Sequence, residues 1–360
     1  MIDERNRADG VFEGGGVKGI AFAGALASAE KDAGVREWVN VAGTSAGSIV
    51  SALLVAGYDS AGLQRILADA HYKRFADCGP GGMWVGGLVN AVTRIRGFAP
   101  GKYFTEWLSE QLAKSPLAQE LGKAELTFAD VRRRDLPPRS ELPDITDEKY
   151  ERATYRLHVI GSDVSAGRMV IMPDDLPQYT DADGKPLDKD SFKIVDAVRM
   201  SMSYPFLFAP VPLHRDGRPH WVVDGGLLSN FPIWLFDSPH PKRPTWGFRL
   251  HPGSSVTEGM PYRKIPRPLW SVPLLKAMFS AATEAWDREQ MEHVVSARTV
   301  SVPTHAISTT NFGLSREDAG DLYNWGLLAA QAFFRDPSQR AYLNSFGKPV
   351  DTTVPEPAVR

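Results

Sequence analysis

A stretch of twenty uncharged residues, at positions 38–57, constrains this 360-residue chain more than any other segment. Its length and lack of charge would suit a transmembrane helix. Glycine, serine and threonine residues interrupt the stretch between Gly43 and Gly47, however. A buried strand over residues 39–42, a tight turn and a buried helix over residues 48–56 would have the same composition. We therefore predict a strand, a turn over residues 43–47 and a helix inside a folded domain.

Short apolar segments alternate with helical segments along the chain, a pattern typical of an α/β fold in which helices cover both faces of a sheet. No segment resembles an interdomain linker, so we predict one domain over residues 1–360. Its core spans about residues 11–250, and a helical part at about 270–335 packs on that core. The predicted strands are 11–12, 39–42, 155–161, 168–172, 221–224 and 298–302, and the predicted helices are 20–29, 48–56, 104–112, 194–202, 273–297 and 316–334.

The charge balance argues against polyanionic partners. There are 41 Lys and Arg residues and 43 Asp and Glu residues, which leaves a formal net charge of −2. The surface as a whole therefore attracts neither nucleic acid nor an anionic membrane, and any peripheral membrane contact must be local. Oligomeric state cannot be read from these features.

The cysteine and histidine residues and the first ten residues of the chain bear on its cellular compartment and on metal binding. The single cysteine, Cys78, cannot form an internal disulfide, and no Cys/His cluster has zinc-ligand spacing. The first ten residues are too charged for the apolar part of a signal peptide. We expect a cytoplasmic protein without a metal or organic cofactor, and secretion by a route that needs no signal peptide stays open.

The pentapeptide Gly43-Thr44-Ser45-Ala46-Gly47 has the form G-x-S-x-G between the predicted strand and helix. Small residues on both sides of Ser45 let the chain turn sharply and hold the serine in a strained conformation at the start of the helix. This pattern predicts a nucleophile elbow, although a turn without catalytic function has the same sequence. Ser165 lies in a related segment, but Asp163 replaces the first glycine and the flanks predict a hairpin.

A glycine-rich loop lies between the first predicted strand and the first predicted helix. Its backbone N–H groups, unobstructed by Cβ atoms, suit an oxyanion hole. The loop also satisfies G-x-G-x-x-G, which would predict a dinucleotide site. In that fold the second strand ends near an acidic residue, whereas here it ends in residues 42–45, Ala-Gly-Thr-Ser. The oxyanion hole is therefore favoured, formed by Gly14, Gly15, Gly16, Val17, Lys18 and Gly19.

Lys18 occupies an unusual place in this loop. It lies near the start of the following helix, where the helix dipole disfavours a cation. We consider three interpretations: Lys18 supports the loop, it binds an anionic part of a substrate, or it is an ordinary exposed lysine.

A nucleophilic serine needs a base. None of the eight histidines stands at a predicted strand end, so the sequence gives poor support for a Ser/His/Asp triad. The predicted strand 221–224 instead ends in the carboxylate of Asp224. Gly225 and Gly226 follow it and allow a tight turn against another loop, although Asp-Gly-Gly is also common in β-turns.

Taken together, these motifs resemble those of the patatin-like phospholipase family. The resemblance rests on the glycine loop, on Gly-Thr-Ser-Ala-Gly around Ser45 and on Asp224-Gly225-Gly226 with Asn230 and Pro232. It implies a three-layer α/β fold, with a central mostly parallel sheet flanked by helices and a nucleophile elbow. It also implies a Ser/Asp dyad without histidine, in which Ser45 is the nucleophile and Asp224 the base, and the glycine loop forms the oxyanion hole.

The resemblance further implies a lipid acyl ester as substrate, cleaved through an acyl-enzyme. A soluble esterase or thioesterase acting on short or carrier-bound acyl groups is an alternative, and a noncatalytic binding protein on the same fold is a second. A long acyl chain needs an apolar rim or channel. Its candidate residues, each of which could also belong to the core, are Trp84, Phe98, Phe104, Trp107, Phe206, Leu207 and Phe208.

Overall fold

The computed structural model describes residues 6–75, 99–142, 145–205, 207–238, 241–251, 253, 297–305, 307–309 and 311–343. Cys78 and most of the predicted helix 273–297 lie outside these residues, as do the apolar candidates Trp84, Phe98 and Phe206.

The strands are β1 (Arg7–Phe12), β2 (Glu37–Thr44), β3 (Leu157–Asp163), β4 (Arg168–Met172), β5 (Val211–Arg215), β6 (Arg218–Asp224), β7 (Thr245–His251) and β8 (Thr299–Pro303). The α-helices are α1 (Ile20–Asp32), α2 (Ala46–Val55), α3 (Ser60–Ala68), α4 (Tyr72–Phe75), α5 (Lys102–Ala113), α6 (Pro116–Leu121), α7 (Asp147–Thr154), α8 (Ile194–Ser201), α9 (Arg316–Arg335) and α10 (Pro337–Leu343).

Most predicted elements within the described residues are confirmed, but β1 is longer than predicted. It begins at Arg7 because its polar residues have buried partners. Asp9, for example, accepts hydrogen bonds from the backbone and side chain of Asn40 and pairs with Arg243. The short helices α3 and α6 were not predicted. Each begins after a capping residue, Asp59 or Ser115, whose side chain accepts a backbone N–H bond.

The described strands form one eight-stranded sheet in the order β5-β6-β3-β2-β1-β7-β8, with β4 also paired to β3. The run from β3 to β8 is parallel, whereas β4, β5 and β6 are joined by antiparallel pairings. Helices flank this sheet, so the predicted three-layer α/β fold is confirmed. In the part of the chain that the structure describes, no helix is both long and apolar enough to cross a membrane.

Strand β3 determines where two other strands end. Its first half pairs in parallel with β2, up to the pair Ile160 and Thr44. Its second half pairs antiparallel with β6, beginning at Gly161 and Asp224. Because Ile160 and Gly161 are neighbours, the ends of β2 and β6 meet beside the same point of β3. The residue that follows β2 is Ser45, and the residue that ends β6 is Asp224.

Candidate active site

The reversal between β2 and α2 is made by Ser45 alone. Strand β2 continues through Thr44 and α2 begins at Ala46, so the predicted five-residue turn at 43–47 is wrong. Sheet pairing keeps Gly43 and Thr44 in β2, and Ser45 reverses the chain with φ 52° and ψ −122°. This is a sparsely populated backbone conformation for a residue with a side chain, and such strain is concentrated at functional sites.

The two glycines of the elbow are required by close packing. A Cβ atom on Gly43 would lie 2.2 Å from the carbonyl carbon of Gly47, and one on Gly47 would lie 2.2 Å from the carbonyl oxygen of Phe12. Neither clash can be relieved by moving a flexible side chain, because backbone atoms are on the other side. The sharp turn that presents Ser45 therefore depends on both glycines.

Two hydrogen bonds of Ser201 tie this elbow to β3. The Ser45 N–H donates to Ser201 Oγ at 2.9 Å, and Ser201 Oγ donates to the carbonyl of Ile160 at 2.6 Å. Ser201 is fully buried at the end of α8. Its contribution was not predicted, although it opens the segment 201–210, Ser-Met-Ser-Tyr-Pro-Phe-Leu-Phe-Ala-Pro, which contains two prolines and begins at the end of a predicted helix.

Asp224 is a buried carboxylate with one unused oxygen. Its Oδ1 accepts the N–H of Gly226 at 2.8 Å, while its Oδ2 has no hydrogen-bond partner in the described part of the chain. Burial raises the pKa of Asp224 to about 6; the Ser45 side chain and the Gly226 N–H favour the charged form and oppose this shift. Asp224 therefore has a higher pKa than an ordinary aspartate and an oxygen available to accept a proton.

The hydroxyl of Ser45 is close enough to influence this carboxylate but is not hydrogen-bonded to it in this rotamer. Ser45 Oγ lies 3.5 Å from the sulfur of Met202 instead. A serine side chain has other staggered χ1 rotamers, and hydrogen bonds of a catalytic pair are often long until substrate binds.

Only part of the glycine loop is free to donate hydrogen bonds. The Gly14 N–H donates to Asn230 O, the Val17 N–H to Thr309 O and the Lys18 N–H to Gly15 O. Gly19 ends the short 3-10 turn Gly16–Gly19. Among the described residues no acceptor binds the N–H groups of Gly15 and Gly16. These two amides are therefore the donors that the loop can offer to a ligand.

The loop lies directly against the elbow and against the turn after Asp224. A Cβ atom on Gly14 would lie 3.3 Å from the Cβ of Ser45 and 2.3 Å from Oδ1 of Asn230. Asn230 also donates from Nδ2 to Glu13 Oε1 at 3.2 Å. On the other side of the elbow, a Cβ atom on Gly225 would lie 2.3 Å from the carbonyl oxygen of Ile160. The loop, the elbow and the Asp-Gly-Gly turn thus form one packed unit.

Lys18 is buried, so its interpretation as an ordinary exposed lysine is wrong. Its Nζ donates to Oγ1 of Thr304, just after β8, at 3.4 Å. The carboxylate of Glu13 is buried nearby and accepts the N–H of Leu250. Burial raises the pKa of Glu13, and the positive charge of Lys18 is one of the influences that oppose this shift. These contacts place Lys18 beneath the loop, where it supports the loop from the side of β8.

The histidine nearest in sequence to Asp224 has another partner. Nδ1 of His220 lies 2.7 Å from Oδ2 of Asp163, which also accepts the hydroxyl of Tyr179 at 2.9 Å. Oδ1 of Asp163 accepts the N–H of Ser165 inside the β3–β4 hairpin, so the predicted hairpin is confirmed there. His220 therefore stabilises the hairpin, and within the described residues its ring is hydrogen-bonded to Asp163 and not to Asp224.

Arg199 organises the segment between Ser201 and Asp224. Its guanidinium is buried and donates to Ser203 Oγ at 2.7 Å and to the carbonyl oxygens of Pro100 and Ala209. The Ser203 carbonyl in turn accepts the N–H of Asp224 at 3.0 Å. Arg199 stands among apolar residues of the predicted helix 194–202, and this pattern could have indicated a buried cation with partners, since charged residues are rarely buried without them.

The candidate residues for an apolar rim or channel that the structure describes separate into two groups. Phe104 and Phe208 are buried in the core, whereas Trp107 and Leu207 are half-buried. Trp107 lines a cavity whose described lining residues include none of the candidate catalytic residues. No group of three His, Cys, Asp or Glu side chains able to hold a metal occurs among the described residues.

This site lies within the region that matches a known family. The model of that family, patatin-like phospholipase, matches residues 10–237 and so includes Ser45, Asp224 and the glycine loop. The chain belongs to the patatin-like phospholipase family, which makes it a lipid hydrolase at the level of the family. It is also 31% identical over 333 residues to the uncharacterized protein YqhO of Bacillus subtilis (strain 168), covering 91% of this chain and 98% of YqhO.

One solved structure shows the same fold at low sequence identity, and a second is similar over part of its length. VipD from Legionella pneumophila is 15% identical and superposes with a TM-score of 0.52, over 91% of this chain and 67% of VipD. The type III effector protein ExoU of Pseudomonas aeruginosa is 18% identical with a TM-score of 0.44, over 91% of this chain and 53% of ExoU. The chain thus spans about half the length of ExoU.

Proposed function

We propose that this protein is a serine acyl-ester hydrolase that cleaves phospholipid or related lipid acyl esters, with Ser45 as nucleophile and Asp224 as general base. The observation that carries the proposal is the meeting of these two residues beside Ile160 and Gly161 of β3. One is a strained serine at a strand-to-helix junction, and the other is a buried carboxylate with an unpartnered oxygen. Family membership favours the lipid substrate.

In the first half of the reaction, Asp224 accepts the proton of the Ser45 hydroxyl as its oxygen attacks the ester carbonyl. A carbon–oxygen bond forms, and the carbonyl oxygen becomes an oxyanion. Collapse of this intermediate expels the alcohol, which takes the proton from Asp224, and leaves the acyl group on Ser45. Asp224 then accepts a proton from water, whose oxygen attacks the carbonyl carbon of the acyl-enzyme. When this second intermediate collapses, the bond between Ser45 Oγ and the acyl carbon breaks, Ser45 Oγ takes the proton back from Asp224, and the fatty acid is released.

The oxyanion needs hydrogen-bond donors that are already in position. We assign this role to the N–H groups of Gly15 and Gly16, because the amides of Gly14, Val17 and Lys18 already have acceptors. The six-residue oxyanion hole that the sequence predicts is thereby narrowed to two donors. Lys18 and Glu13 act as supports for the loop.

The raised pKa of Asp224 suits the proposed base. A carboxylate with a pKa of about 6 accepts a proton more readily than one with an ordinary pKa near 3.8, and it remains ionised at neutral pH. Burial supplies this property, since it excludes water from the carboxylate without providing a cation to neutralise it. No histidine is then needed to activate Ser45.

Labelling with a fluorophosphonate tests the nucleophile. We expect mass spectrometry of the labelled protein to find one adduct, on Ser45, and we expect Ser45→Ala to abolish both labelling and hydrolysis while the circular dichroism spectrum is unchanged. Ser165→Ala, in the β3–β4 hairpin, is the control variant and should be labelled like the wild type. An adduct on Ser165 or Ser48 would contradict the assignment.

Substrate class is tested separately, with phospholipid micelles and dissolved short-chain esters. We expect hydrolysis to accelerate when the lipid aggregates, because an interfacial enzyme acts at the lipid surface. Hydrolysis of dissolved esters or thioesters alone would identify the soluble esterase instead. A protein that neither hydrolyses any ester nor reacts with the fluorophosphonate would be the noncatalytic binding protein.

A further inference from the structure

A second cavity lies away from Ser45 and Asp224, between helices α3, α4 and α5. Its volume is about 360 Å³, which is enough for a headgroup-sized ligand. None of the residues around it belongs to the glycine loop, the elbow or the Asp-Gly-Gly turn. The lining residues are Arg65, Ile66, Asp69, His71, Arg74, Tyr103, Trp107 and Gln111.

The charged groups of this cavity favour an anion. The cavity lining includes two guanidinium groups, of Arg65 and Arg74, and one carboxylate, of Asp69, and all three side chains are exposed. In the part of the chain that the structure describes, neither arginine forms a salt bridge. Paired guanidinium groups bind phosphate strongly because each can donate two parallel hydrogen bonds.

Aromatic rings hold one of these arginines and form the apolar wall. The guanidinium carbon of Arg74 lies 4.1 Å from the ring centroid of Tyr103. The ring of Trp107 packs against buried Phe75 at 5.1 Å between centroids, so its position is fixed from below. Gln111 adds an amide that can donate to an oxygen. The cavity therefore combines a cationic side with a rigid, half-buried aromatic side.

We propose that this cavity binds a phosphate-bearing ligand, with the phosphate between Arg65 and Arg74 and the organic part of the ligand against Trp107. An anionic phospholipid headgroup and a small soluble phosphate ester share this chemistry. In a chain of net charge −2, such a site provides local attraction to an anionic surface that the charge balance as a whole does not. The proposal depends on α3, α4 and α5 and not on the catalytic assignment.

Vesicle co-sedimentation tests the headgroup as ligand. The Ser45→Ala protein is used throughout, so that no hydrolysis alters the vesicles and a failure of the proposed chemistry cannot be mistaken for a failure of binding. We expect binding to vesicles of phosphatidylcholine with phosphatidylglycerol, much weaker binding to phosphatidylcholine alone, and a loss of affinity as salt is raised.

Variants that lack a charged side chain test whether vesicles bind at this cavity. With Arg65→Gln and Arg74→Gln together we expect roughly 30-fold weaker vesicle binding, since each basic residue near an anionic surface contributes about fivefold. The control is Arg134→Gln with Arg316→Gln, which removes the same charge from exposed positions outside the cavity and should change binding little. Asp69→Asn should strengthen binding. Equal weakening by the two double variants would overturn the proposal.

A soluble probe separates the two sources of phosphate. Glycerol 3-phosphate is titrated into the same proteins by calorimetry. Suppose that the protein does not bind vesicles but binds glycerol 3-phosphate, and that this binding is lost in the Arg65→Gln, Arg74→Gln variant and kept in the control. This result would support the site and identify a soluble phosphate ester as its ligand. If neither the vesicles nor glycerol 3-phosphate bind in a way that depends on Arg65 and Arg74, the proposal is wrong.

Discussion

Ser201 Oγ accepts the backbone N–H of Ser45 at 2.9 Å and donates to the carbonyl of Ile160 at 2.6 Å. One buried hydroxyl therefore connects the strained elbow to the strand that also pairs with Asp224 through Gly161. The bond to Ser45 acts on the backbone of the proposed nucleophile and leaves its side chain free to react. We infer that Ser201 is a positioning residue for Ser45.

Replacement of Ser201 tests this inference. Ser201→Ala leaves the buried N–H of Ser45 and the carbonyl of Ile160 without this partner, which should cost about 1–3 kcal/mol of unfolding free energy. A small displacement of Ser45 should also lower kcat by roughly tenfold to a hundredfold with little change in KM. Denaturant unfolding and steady-state kinetics measure the two effects.

The matched control for that variant is Ser28→Ala. Ser28 is also a buried helical serine, but its hydroxyl donates to Asp32 on α1. We expect loss of stability from this variant without loss of kcat. A Ser201→Ala protein that reacts with fluorophosphonate as fast as the wild type would show that Ser201 has a structural role only.

The second prediction distinguishes a dyad from a triad. If Asp224 takes the proton directly, Asp224→Asn should lose about 10²- to 10⁴-fold in kcat, because the amide has the shape of the carboxylate but no basicity. His220→Gln should retain most activity, since its ring contacts Asp163 at the β3–β4 hairpin. Loss of activity by a folded His220→Gln protein equal to that of Ser45→Ala would contradict the dyad.

The third prediction concerns the pH dependence of activity. The base must be ionised to accept a proton, and the pKa of Asp224 is raised by burial to about 6. The rate of fluorophosphonate labelling should therefore fall about tenfold for each pH unit below about 6 and be level above it. A midpoint near the ordinary aspartate value of 3.8 would show that burial does not raise the pKa of Asp224, and a labelling rate that is unchanged between pH 4 and pH 8 would show that Asp224 is not the titrating base.

The fourth prediction concerns stability, which should change with pH in the direction opposite to activity. Because the pKa of Asp224 in the folded protein exceeds its value in the unfolded chain, its contribution to stability is greatest below about pH 3.8 and is lost as pH rises through about 6. Asp224→Asn should therefore be more stable than the wild type at pH 8, by up to about 3 kcal/mol. The difference should vanish near pH 4, and denaturant unfolding at both pH values measures it.

The fifth prediction tests the glycine loop. Gly16 has φ +56°, and a Cβ atom there would lie 2.2 Å from the carbonyl oxygen of Thr309. Gly16→Ala should displace the Gly15 and Gly16 amides and lower kcat by about 10²- to 10³-fold. Gly167→Ala is the control, because Gly167 has φ +63° and nothing within 4 Å. It should cost about 1–2 kcal/mol of stability and leave kcat unchanged.

Local sequence was sufficient to predict the elements that carry the candidate site. Gly-x-Ser-x-Gly between an apolar strand and an apolar helix predicted where Ser45 lies, and the strand before Gly225 predicted that Asp224 ends it. Both patterns work because they depend on neighbours in the chain. The five-residue turn was wrong because pairing of β2 with β1 and β3, a long-range effect, keeps Gly43 and Thr44 in the strand.

Contacts between distant segments could not be predicted in the same way. Neither Ser45 nor Asp224 indicates that Ile160 and Gly161 bring them together, because that depends on the register of β3 against two strands. The number of free amides in the glycine loop depends on Asn230 and Thr309, more than two hundred residues away in sequence. Such information lies in tertiary packing.

Because β3 pairs with β2 in one half and with β6 in the other, the two residues of the proposed catalytic pair are anchored differently in the sheet. Ser45 follows a strand within the parallel part of the sheet, whereas Asp224 belongs to the β5–β6 ribbon, whose ladder with β3 consists of three residue pairs. Local melting of this ribbon would separate the base from the nucleophile while the parallel strands remain folded. Heating should therefore abolish activity at a lower temperature than the one at which the whole protein unfolds. The β5–β6 ribbon is thus the first place to stabilise in a heat-tolerant variant.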